Sequence, residues 1–61
     1  MIRVEIDTKN AAFGDYPGYE VARILGELVK RFTDYPDQPL SGSCKLRDIN
    51  GNTVGEMEVV E

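Results

Sequence analysis

Histidine is absent from this 61-residue sequence, and cysteine occurs once, at Cys44. The first absence removes the usual general base of nucleophilic catalysis. The second removes any intrachain disulfide, and one thiol without histidine does not make a zinc site. Small domains lean on such staples because a chain of this length buries only roughly 60% of its unfolded surface. Its core then supplies on the order of 3–5 kcal/mol. Oligomerisation is the remaining common solution, so a homodimer is expected. Long apolar runs are also missing: none approaches the roughly 20 residues of a membrane span. Met1 to Asp7 alternates in character and has no apolar signal core. With a lone cysteine, these features predict a soluble, cytoplasmic protein with no membrane contact. Basic charge is scarce as well, with 7 basic against 11 acidic residues and a net charge of −4. That balance disfavours phosphate backbones and suits solubility or a basic partner.

What is present is clear periodicity. Residues 2–7 carry Ile2, Val4 and Ile6 at period two and predict a half-buried strand. Thr8 to Tyr16 is polar or small and reads as a loop, with Phe13 folding back onto the core. Pro17 suits a first helical turn, capped by Asp15 or Tyr16. Val21, Ile24, Leu25, Leu28 and Phe32 then form one apolar stripe at helical spacing, predicting a helix at about 17–32. Glu20, Arg23, Glu27, Lys30 and Arg31 fall opposite, with Glu27 and Arg31 as an i,i+4 pair. Thr33 to Gly42 holds two prolines and reads as an extended linker, pinned by Leu40.

Asn50-Gly51 marks a hairpin. A two-residue turn there places Ile49 opposite Asn52, Arg47 opposite Val54, Leu46 opposite Gly55, Lys45 opposite Glu56, Cys44 opposite Met57 and Gly42 opposite Val59. A longer turn with a bulge at Gly51 shifts these by one residue. The expected fold is α+β, a single β-α-β-β domain over residues 1–61, with one helix across a three-stranded sheet. Its predicted core is Ile2, Val4, Ile6, Val21, Ile24, Leu25, Leu28, Phe32, Cys44, Leu46, Met57 and Val59.

No catalytic constellation is visible. Cys44 sits on the apolar face of a strand and reads as packing. Asp7, Asp15, Asp34 and Asp37 lie in or beside loops, and nothing pairs two of them in an apolar pocket. Asp48-Ile-Asn-Gly-Asn-Thr superficially matches a calcium loop, but its glycine is fourth rather than sixth, and the hairpin accounts for the same residues. Gly14 and Gly18 flank Pro17 without phosphate-loop spacing. Arg3, Lys45 and Arg47 share the outer sheet face with Glu5, Asp7, Glu56 and Glu58, so direct nucleic-acid binding is not expected. No catalytic residue, metal or cofactor is predicted.

Partner surfaces are better marked. Gly18, Ala22 and Gly26 recur at i, i+4 and i+8, with Tyr19 and Val29 beside them. A glycine inside a helix costs about 1 kcal/mol relative to alanine. Close approach by the domain's own sheet or by a second helix would each account for Gly26. Ile49, Val54 and Val60 are expected on the sheet face away from the helix, where several apolar residues make a patch. Tyr16, Tyr19 and Tyr35 gather at the helix ends, as interface anchors or as caps on the core edge. An edge strand offers a further route to association.

Asn10-Ala-Ala-Phe13, Pro17-Gly-Tyr-Glu-Val-Ala-Arg-Ile-Leu25 and Leu46-Arg-Asp-Ile-Asn-Gly-Asn-Thr-Val-Gly55 resemble a group of small phage and prophage open reading frames without assigned activity. The resemblance covers most of the chain and carries over no catalytic residue. It implies a phage-encoded protein that binds and blocks a host protein, such as a CRISPR effector. The expected function is therefore a non-enzymatic, homodimeric protein-binding module that inhibits a host defence system or host enzyme. An assembly or accessory protein of a phage is the alternative, and a nucleic-acid-binding regulator the third.

Overall fold

The alternating β-branched residues at the start of the chain form strand β1, Ile2–Ile6. The computed structural model describes residues 1–60. A 3₁₀ turn, Ala11–Phe13, follows; the Asn10 side chain caps it by accepting from the Ala12 N–H. Helix α1 spans Pro17–Asp34, two residues beyond the predicted end, with Tyr16 as N-cap and no side-chain cap bond. Strands β2, Ser43–Arg47, and β3, Thr53–Val59, complete the α+β domain. All pairings are antiparallel and the order is β1-β3-β2, so the strand latest in sequence is central.

The hairpin register holds along most of its length: Leu46 faces Gly55, Lys45 faces Glu56 and Cys44 faces Met57. Near the tip it differs. Asp48, not Ile49, bonds to Asn52, donating its N–H to the Asn52 carbonyl at 2.9 Å. Gly51 takes φ 86°, the left-handed conformation of a longer turn. Arg47 consequently faces Thr53, and Val54 becomes the extra residue of a bulge that restores the expected register. That bulge overturns one expectation: Val54 is not on the outer face but buried in the core. At the next residue β1 passes so close that a Cβ on Gly55 would overlap the Glu5 carbonyl oxygen.

The buried core is Phe13, Ile24, Leu28, Leu46, Val54 and Met57. Ile6, Val21, Phe32, Cys44 and Val59 pack half-buried around it. Phe13 does fold back, whereas Leu40 is exposed and does not pin the linker. Ile2, Val4 and Leu25 are also out of place. They lie at core-facing positions yet are 41%, 40% and 39% exposed, and Val29 is 63% exposed. The buried residues of the sheet, Leu46, Val54 and Met57, come from β2 and β3, so the helix sits over those strands and leaves β1 half uncovered.

Candidate functional site

Two features converge where the start of α1 meets the hairpin tip. The first is a buried polar cluster. Asp48 is buried at the turn and its carboxylate is fully engaged. Oδ1 accepts the Asn50 and Asn52 N–H groups at 2.9 and 2.8 Å. Oδ2 accepts the side-chain amides of Asn10 and Asn52 at 2.8 and 3.2 Å. Burial acts to raise the Asp48 pKa, but the bonds from Asn52, Asn10 and Asn50 outweigh it and hold the carboxyl below its ordinary value.

Glu20 is the second buried carboxylate. Sequence periodicity puts it on the solvent side of α1; in the structure it is buried. One oxygen accepts from Arg23 Nε and the other from the Ile49 N–H at 3.2 Å. Arg23 also donates to Glu27 at 2.9 Å and to the Arg47 carbonyl at 2.9 Å. The Glu20 hydrogen bond, opposed by desolvation, raises the Arg23 pKa. Glu27 therefore pairs with Arg23 rather than with Arg31. Among the described residues no buried side-chain polar atom lacks a partner. These carboxylates clamp helix, loop and hairpin together, and neither presents a free oxygen to a substrate.

The second feature is an open hollow of about 460 Å³ above this cluster, lined by Ala11, Ala12, Asp15, Tyr16, Tyr19, Glu20, Arg23 and Ile49. Tyr16 and Tyr19 meet edge to face, with ring centroids 5.9 Å apart. Tyr16, Tyr19 and Ile49 are all exposed. Asp15 makes no ion pair among the described residues.

The structure thus gathers three of the expected partner residues and scatters the others. Tyr35 caps the far end of α1, about 24 Å from Tyr19 along the axis at 1.5 Å per residue. Gly18, Ala22, Gly26 and Val29 lie on the exposed helix flank. No atom comes within 4 Å of a Cβ placed on Gly18 or Gly26, so the domain's own sheet does not account for those glycines. Val54 is in the core. The sequence reading missed Asp48, Glu20 and Asn10. A usable signal for Asp48 was its spacing to Asn50 and Asn52, since aspartate side chains capture backbone N–H groups two residues on. Glu20, by contrast, left no such trace.

On the outer sheet face, Arg3 pairs with Glu58 at 3.3 Å and Lys45 with Glu56 at 2.7 Å. No described helix is long and apolar enough to cross a membrane. No family model, curated protein or solved structure matches the chain.

Proposed function

We propose that this chain is a non-enzymatic protein-binding module that acts as a homodimer and meets its target at the tyrosine-lined hollow. The observation that carries the reading is the grouping of exposed Tyr16, Tyr19 and Ile49 around one concave surface beside Asp15, which makes no ion pair among the described residues. Aromatic anchors at a desolvatable concavity are the residues that dominate protein interfaces. Aromatic faces with a carboxylate alongside favour a lysine or arginine of the target. The net charge of −4 points the same way. With the phage-like sequence pattern, the target class is a host protein, either a component of host defence or a host enzyme. The ion pairs that occupy Arg3 and Lys45 weigh against a nucleic-acid partner.

Capture from host lysate tests this, with wild type beside Tyr19→Ala/Ile49→Ala and, as control, Tyr35→Ala. The expected result is a partner retained by wild type and the control and lost by the double variant. Equal retention by all three, or no partner for any, overturns the reading.

A further inference from the structure

We infer that two copies of this chain join through the free edge of β1, antiparallel and centred on Val4, into one six-stranded sheet. The inference deepens the homodimer half of the proposed function and is independent of the hollow. It begins with the phase of the backbone hydrogen bonds. The Met1 N-terminus donates to the Val60 carbonyl and accepts the Val60 N–H at its own carbonyl, at 2.8 and 2.7 Å. At the other end the Asp7 N–H donates to the Val54 carbonyl at 2.7 Å. Antiparallel ladders alternate, so the odd residues of β1 bond inward to β3. Ile2, Val4 and Ile6 then turn their N–H and C=O groups outward, to the edge that no strand among the described residues covers.

The segment reads Ile2-Arg3-Val4-Glu5-Ile6, which is complementary to itself when reversed. Centred on Val4, Ile2 faces the partner's Ile6, Val4 faces the partner's Val4, and Arg3, which bonds its own Glu58 through Nη1, has its other guanidinium nitrogens to offer the partner's Glu5 in both directions. Every outward backbone group of these residues finds a mate. Registers displaced by one residue pair outward groups with inward ones and lose the bonds. Registers displaced by two set Arg3 against the partner's Arg3, or Glu5 against the partner's Glu5, and like charges directly opposite are destabilising. Glu5 has particular need of a cation, because inside its own sheet it faces Glu56, whose carboxylate is bonded to Lys45.

The apolar exposure fits the same geometry. Facing residues share a sheet face, so both helices stand on one side of the joined sheet. Arg23 ties one flank of α1 to the β2 carbonyl of Arg47, and Leu25 and Val29 lie on the other flank, towards β1. The half-exposed Ile2, Val4 and Leu25 of each copy, with the more exposed Val29, thereby gather about the two-fold axis and close one core.

Sedimentation of the full chain against concentration tests this with the variants Arg3→Glu and Glu5→Arg. Glu5→Arg replaces the like-charge contact with Glu56 and keeps the fold, whereas Arg3→Glu gives up the pair with Glu58, so far-ultraviolet circular dichroism verifies both. Each variant alone repels its own copy and is expected to dimerise at least about tenfold more weakly. Mixed together they restore opposite charges at both facing pairs, and a mixed dimer of near wild-type affinity is expected. A wild-type chain that is monomeric up to about 1 mM overturns the inference. So does a dimer indifferent to both substitutions, or a mixture that does not recover. Any of these results leaves capture at the hollow untouched.

Discussion

Asn10 and Asp48 stand 38 positions apart in sequence, and the amide of one donates to the carboxylate of the other at 2.8 Å. That bond joins the loop after β1 to the hairpin tip, while the second Asp48 oxygen shapes the turn itself. One side chain therefore sets the local turn and holds the long-range contact beneath the hollow.

Asp48→Ala strands the Asn10 amide and two turn N–H groups at once. Hydrogen bonds to a charged acceptor are the stronger kind, and this substitution removes several of them together. A fall in thermal midpoint on the order of 10 °C is expected by circular dichroism for a domain of this size. An unchanged midpoint would show the cluster to be ornamental.

Acid should unfold the protein through the same residue. The Asp48 carboxyl is held below its ordinary value of 3.8. Its contribution is complete above that value and lost as pH falls through the lower folded one. Stability should thus be flat for this group above about pH 5 and decline below pH 4, and Asp48→Asn should flatten that decline. Chemical denaturation across the acid range measures both.

Two glycines should respond to alanine with opposite sign. Gly26 lies in an exposed helix interior with open space around it, so Gly26→Ala should stabilise by about 1 kcal/mol. At Gly55 a Cβ meets the Glu5 backbone, and Gly55→Ala should part β1 from β3. Urea melts give the first result, and hydrogen exchange at the β1 amides gives the second.

Val54 and Ile49, alike in the sequence pattern, should behave differently. Val54→Ala empties part of the core and should cost about 2 kcal/mol. Ile49→Ala, at an exposed site, should stay within about 0.5 kcal/mol in stability and register only in partner capture.

The contrast within that pair shows where sequence patterns stop. Alternation read Leu46 against Gly55 and Cys44 against Met57 correctly, because both strands are regular there. It put Val54 on the wrong face because a bulge inverts alternation, and the one local trace of it is Gly55, a glycine inside a strand. The helical stripe found Ile24 and Leu28 from apolar spacing, and Phe13 was legible as a core lid because it is the one large apolar residue of a polar loop. It failed at Glu20, where a charged residue is buried only because the Ile49 N–H and Arg23 come to it from elsewhere. For Ile2 and Val4 the pattern gave the face correctly; whether anything covers that face depends on where the helix lands. Among the expected partner residues, Tyr16 and Tyr19 were grouped with Tyr35 at the helix ends, and Ile49 was put on the sheet face away from the helix, whereas it sits beside the start of α1. Their convergence depends on how the hairpin tip docks against α1, a contact that no local pattern encodes.

The placement of β3 between its neighbours also governs the order of events during synthesis. Both flanking strands leave the ribosome before the one that pairs with them, so neither has a ladder to join until Thr53–Val59 is made. The helix needs no such wait. A chain that lacks Thr53–Val59 is therefore a helix carrying two unmatched ribbons, each open to pairing with other chains.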